Sequence, residues 1–303
     1  MTNKPTPVSS YHMYDESLLF WEHDGKEYCL RVDQVGDDAA LNPRGDMYHD
    51  SIMFCVHPRY KLGDDLSEKT PTEFWTHLIE ENMSDADIAA KLRSNSIHPH
   101  NADSNWGQWD KLSDNELAAY FLEHIADYED FQSAAQLLDD YVAILPLWLY
   151  DHSGITMSCG ARCYPYNDQW DSSAVGWIAI GKKYALTLPE TDKTNWKQKA
   201  EELLTKEVKE YDQYLTGDVY GYAVGVRTDH KILENETASD EFEWEEDDSS
   251  YGFYGSDILS NGICDSVERG LKEAILENRT TPGHIEKKTV TYLTYVKEEA
   301  HHG

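Results

Sequence analysis

The chain has 303 residues and carries 57 Asp and Glu against 26 Lys and Arg, a formal net charge of −31. Such a surface cannot release counterions from phosphate, which excludes direct binding of nucleic acid or of an anionic membrane through a basic face. Hydrophobic residues at 40% and aromatics at 12%, among them 20 Tyr and 9 Trp, are enough for a packed core and exclude global disorder.

Residues 1–14 are polar, contain two prolines and predict an irregular arm without the apolar core of a signal peptide. Leu18–Trp21 and Tyr28–Val32 flank Asp24-Gly25 and predict a hairpin, because both central residues of a type I′ turn need positive φ. A polar loop, 37–50, precedes an apolar strand over Ser51–His57 that Pro58 ends. Pro71 opens a helix with Phe74, Leu78 and Ile79 on one face, and Ser84 is an N-cap for a second over 85–92. Residues 94–110 are polar and broken by Pro99 and Gly107. Ser113 and Glu116 form a capping-box pattern ahead of Leu117, Tyr120, Phe121, His124, Ile125 and Tyr128 at helical spacing, and another helix is expected over 131–141.

Two apolar runs follow, Ile144–Tyr150 and Ala174–Ile180, each stopped by turn residues and each of strand length. The connection between them is polar and aromatic and reads as a loop. Lys193–Tyr214 is a charged helix with a stripe of Trp196, Ala200, Leu203, Leu204, Val208 and Tyr211. Val219–Val226 alternates as a strand, with 231–233 pairing beside it. Residues 236–250 read as an acidic loop, 263–277 as a helix and 288–296 as a final strand. This order predicts an α+β fold, a mixed or antiparallel sheet with flanking helices, divided near residue 143 into regions 1–143 and 144–303.

Asp151-His152-Ser153 names the members of a hydrolase triad, yet neighbours on an extended chain point apart, and no Gly-x-Ser-x-Gly elbow exists. Cys159 and Cys163 lack the second ligand pair that zinc wants, and Cys29, Cys55 and Cys264 are remote, so free thiols are expected. His57, His77, His98, His100 and His124 are scattered, and carboxylate pairs such as Asp168/Asp171 and Asp212/Asp218 arise by chance among so many acids. No catalytic, cofactor or metal residue is assigned. The acidic stretch Asp240–Asp248 holds Phe242 and Trp244 between charges. Phe242, Trp244, Glu245, Glu246, Asp247 and Asp248, with Tyr164, Tyr166 and Trp170 of the central loop, are the candidate partner-binding residues: aromatics anchor and carboxylates steer.

The blocks Asn42–Asp64, Leu147–Ser158 (LWLYDHSGITMS), Trp170–Lys183 (WDSSAVGWIAIGKK) and Tyr211–Val224 (YDQYLTGDVYGYAV) resemble a family of phage, prophage and plasmid proteins. A very acidic, motif-poor chain of this size also resembles phage counter-defence proteins, the Gabija anti-defence class among them. That resemblance implies a non-enzymatic inhibitor in the host cytoplasm that binds a bacterial defence complex, needs no cofactor, associates with copies of itself, and blocks access to DNA. The other readings are a metal-assisted hydrolase built around 151–171 and a structural phage protein.

Overall fold

The structure is a computed structural model describing residues 8–14, 17–36, 39–45, 49–95, 111–125, 128–160, 170–234, 237–286 and 294–297. Its elements in chain order are β1 (Ser17–His23), β2 (Lys26–Gln34), β3 (Ile52–Cys55), α1 (Pro71–Asn82), α2 (Asp85–Asn95), α3 (Asp114–Glu123), α4 (Tyr128–Leu138), β4 (Val142–Asp151), β5 (Ile155–Cys159), β6 (Ser172–Gly181), α5 (Lys182–Ala185), α6 (Trp196–Leu215), β7 (Val219–Glu234), β8 (Thr237–Tyr254), α7 (Ile263–Ser266), α8 (Leu271–Leu276), β9 (Thr281–Glu286) and β10 (Thr294–Lys297). The fold is α+β with two antiparallel sheets flanked by helices, as the order of elements predicts.

Contacts divide the chain into two compact units, residues 43–212 and residues 1–42 joined with 213–303. Residue 143 is not a boundary: Ala143 lies inside β4, within the first of these units. The change of composition there marks a helix giving way to a strand.

In the 43–212 unit the strand order is β3-β6-β4-β5. Strands β4 and β6 are adjacent and antiparallel, so the two apolar runs are neighbouring central strands. The helices on one face start where their caps dictate. Thr70 and Glu73 close a capping box on α1, and Ser113 and Glu116 close one on α3. Their apolar stripes meet Phe54, Val142 and Ala179 of the sheet in one core that includes Trp75, Ile79, Leu92, Leu117, Phe121 and Leu137. Alternate residues Met53, Ile178 and Ile180 are buried as well. Helix α6 buries Trp196, Ala200, Leu204, Val208 and Tyr211. Carboxylates finish both outer strands: Asp64 Oδ2 accepts from the Met53 amide of β3 at 2.8 Å, and Asp212 Oδ1 accepts from the Met157 amide of β5 at 2.7 Å. Strand β5 falls within the stretch expected to be a loop. Its Ile155, Met157 and Cys159 alternate with hydroxyl residues, a short period-two pattern that the neighbouring polar residues obscure.

In the other unit the order is β10-β9-β1-β2-β7-β8. The hairpin turn has Asp24 at φ 49° and Gly25 at φ 73°, the left-handed pair the signal requires. Leu19, Trp21, Leu30, Val32, Tyr220, Tyr222 and Val224 line one sheet face. Ile258, Ile263, Val267, Leu271 and Ile275 of the segment after β8 pack on it. The expected helix over 263–277 is two short ones, because Arg269 (φ 105°) and Gly270 (φ 68°) break it with left-handed backbone. Residues 231–233 continue β7 instead of pairing with it, and β9 precedes the expected last strand. The expected acidic loop 236–250 is corrected as well: residues 237–250 lie in β8, which pairs with β7. Its aromatics at alternate positions, Phe242 and Trp244, carry a strand period that outweighs the poor strand propensity of Asp and Glu.

Candidate functional site

The acidic strand is built by β-pairing. Arg227, Val226, Gly225 and Val224 of β7 face Trp244, Glu245, Glu246 and Asp248 of β8. One residue of β8 has no opposite number at each of two points. Asp247 is the extra residue between the pairs Gly225–Glu246 and Val224–Asp248, and Gly252 (φ 92°) is the extra one near Tyr251. Among the described residues β8 has a strand neighbour on one side only, so it forms an edge of the sheet.

Glu245, Glu246, Asp247 and Asp248 are exposed. Three of them are held in place. Asp248 accepts from the Tyr222 hydroxyl at 2.8 Å, Asp247 pairs with Arg269 at 3.2 Å, and Glu246 accepts from the Ser249 hydroxyl at 2.9 Å. Burial first, and then the Asp248 carboxylate beside it, push the Tyr222 phenol up to about 12. Trp244 differs from its expected role. It is half-buried, meets Phe20 edge-on with ring centroids 5.5 Å apart, and packs on Leu18, Phe20 and Cys29. It works inside the protein more than toward a partner. Phe242 lies opposite Lys231 in β8. Tyr251, absent from the sequence-based set, is 56% exposed on the same strand. The signal for it was the spacing Gly221, Ala223, Gly225, a small-residue row on β7 that leaves room for a large neighbour.

The central-loop candidates belong to the 43–212 unit. Trp170 is 94% exposed, whereas Tyr164 and Tyr166 lie outside the described residues. The residues that resemble a triad do not converge. Asp151 pairs with Arg59 and accepts from the Tyr60 hydroxyl at 3.2 Å. His152 Nδ1 lies 3.0 Å from Asp171 Oδ2. Ser153 (φ 56°) donates to its neighbour's carbonyl at 2.6 Å. His57 Nδ1 accepts from the Arg59 and Tyr60 amides at 3.3 Å and its ring stacks on Tyr60. His77 lies between Glu68 and Glu81 at 3.3 and 3.2 Å. His98, His100, Asp168 and Cys163 lie outside the described residues. Among the described residues no group of three or more His, Cys, Asp or Glu is placed to hold a metal ion, and no helix is long and apolar enough to cross a membrane.

Cys29, Cys55, Cys159 and Cys264 are free thiols. Burial pushes all four thiols up from their ordinary 9.0, Cys55 and Cys264 to about 12. Two results are expected. Cys29 and Cys264 should react with a thiol reagent at pH 8 only when the protein unfolds, and fast labelling of the native protein at Cys29 would contradict their burial. The folded state also holds these protons more tightly than the unfolded chain. That stability is complete below pH 9 and lost as pH rises toward 12, so the melting temperature should fall across this window, with a smaller fall in Cys55→Ala.

No protein-family model, curated protein or solved structure matches this chain.

Proposed function

We propose that this protein is a phage-encoded, non-enzymatic inhibitor that binds a bacterial anti-phage defence complex in the host cytoplasm and keeps it from DNA. The observation that supports this most is the display of Glu245, Glu246, Asp247 and Asp248 along an ordered sheet edge. Fixed carboxylates present a set pattern of charge, which a mobile acidic loop cannot do. A nuclease that grips phosphate must present Lys and Arg, and those groups are the complement of this edge. The sequence blocks that resemble phage and plasmid proteins fit the same reading, with the Gabija nuclease complex as the first partner to try. The hydrolase alternative draws no support from Asp151, His152 and Ser153, since each turns to a different group.

The test is capture from cells that carry different defence systems, followed by DNA cleavage assays on the captured complex. Cleavage should stop at stoichiometric amounts of the protein, and raised salt should weaken the inhibition. Unchanged cleavage at excess protein would sink the proposal, and inhibition by far less than one equivalent would point to an enzyme instead. The protein alone should not shift duplex DNA at physiological salt.

A further inference from the structure

Register divides the side chains of the six-stranded sheet between its two faces. Tyr222 and Val224 point into the core. Gly221, Ala223 and Gly225 lie on the other face, opposite Tyr251, Ser249 and Glu246 of β8 and Asp33, Arg31 and Cys29 of β2. One end of this face is closed, where Trp244 packs on Phe20. The other end is open: Tyr251, Ser249 and Glu246 are exposed, and Ala223 and Gly225 are half-buried.

The small residues are covered at both ends, Gly221 by the Tyr251 ring and Gly225 by Trp244, which leaves a short, shallow channel over Ala223 between the two aromatics. A Cβ at Gly221 would collide with the Tyr251 ring, so that ring lies across the Gly221 backbone. An aromatic supported in this way presents contact area at little entropic cost. Arg31 is paired with Asp33 at 2.9 Å, so this pair adds no net charge and Glu246 sets the sign of the open face. The edge itself is a poor docking line for a strand, because the extra residues Asp247 and Gly252 interrupt its regular pairing and increase its twist.

We infer that the partner docks on this face, without pairing with the β8 backbone, through an arginine-bearing segment that lies over Ala223 between Tyr251 and Trp244. One guanidinium stacks on Tyr251 and another pairs with Glu246. Arginine fits better than lysine because its planar group both stacks on an aromatic ring and pairs side-on with a carboxylate. The inference rests on the inhibitor reading above and specifies the partner's chemistry.

An oligo-arginine peptide and an oligo-lysine peptide of equal length are the probes, titrated against the full chain at fixed salt. Wild type should prefer arginine. Tyr251→Ala should lose that preference and weaken arginine binding about tenfold, while Tyr251→Phe should keep both. Ser249→Arg, at an exposed position, should abolish binding by placing a like charge in the channel. Melting curves establish that each variant is folded, and Tyr251→Phe controls for packing over Gly221. Equal binding of the two peptides by wild type, or unchanged binding by Tyr251→Ala or Ser249→Arg, would overturn the docking face. Inhibition of the captured complex separates the two proposals. If wild type inhibits cleavage and both variants do so equally well, the docking face is wrong and the inhibitor reading stands. If wild type itself does not inhibit, the inhibitor reading fails whatever the peptides do.

Discussion

Arg44→Leu is expected to remove about 3–5 kcal/mol of stability, the largest loss from any single charged residue among the described residues. The Arg44 side chain is 1% exposed and its donors are aimed at fixed acceptors. Nε and Nη2 each donate to Asp64 at 2.7 Å, Nη1 donates to Glu207 at 2.9 Å and to Ser51 Oγ at 3.1 Å, and Nη2 also reaches the Ser51 carbonyl at 3.2 Å. The two carboxylates are themselves only 18% and 12% exposed. Without the guanidinium they stay desolvated with no counter-charge, and that penalty sets the size of the loss. Arg44→Lys should also be destabilising, since one ammonium cannot serve both carboxylates in the geometry of the fork. Replacing Arg44, Asp64 and Glu207 together with apolar residues should recover much of the loss. Urea unfolding measures all three variants, and Arg44→Leu within about 1 kcal/mol of wild type would show that the carboxylates reach water in its absence.

Trp75→Ala is expected to cost about 3–5 kcal/mol, and Trp75→Phe much less. Trp75 is 1% exposed and sits at the centre of an aromatic group, with ring centroids 5.3 Å from Trp177, 5.8 Å from Phe74 and 6.2 Å from Phe131. The alanine variant leaves a cavity among helices that are capped and cannot easily close in. Phenylalanine keeps most of the ring contacts and removes the indole N–H, which is buried without a hydrogen-bond partner among the described residues. Trp148 and Trp177, which lie in the two apolar runs, are half-buried, and Trp148 donates to the Gly160 carbonyl at 3.0 Å. Their alanine variants should therefore lose less than Trp75→Ala. The comparison by thermal or urea unfolding would fail if Trp75→Ala proved the mildest of the three.

The parts of the fold legible in the sequence are those where local chemistry decides alone. Asp24-Gly25 specifies a turn, Ser113 with Glu116 specifies a helix start, and Ile144–Tyr150 is apolar enough to require a central strand. What stayed hidden depends on partners far along the chain. The run from Asp240 to Asp248 has the composition of a solvated loop, and its pairing with residues 224–231 of β7 makes it a strand. The hub at Arg44 draws on Ser51, Asp64 and Glu207, whose conjunction no spacing rule encodes. The same reasoning divides the candidate site. Exposed carboxylates at 245–248 follow from their charge, but Trp244 turning inward onto Phe20, and Tyr251 remaining outside, are set by which sheet face each one occupies.

The division of the chain has a consequence for its synthesis. Gln34 and Gly217, which bond directly through the Gln34 amide and the Gly217 carbonyl at 2.7 Å, stand 183 residues apart. At about 5–20 residues per second a ribosome needs on the order of ten to forty seconds to cover that interval. Through that time the β1–β2 hairpin waits with Leu30 and Val32 exposed and its β7 side open, while residues 43–212 emerge as a complete folding unit. The inserted unit therefore finishes first and the sheet that carries the acidic edge finishes last. An isolated 43–212 fragment should fold, whereas a nascent chain arrested before Val219 should leave the hairpin sensitive to protease.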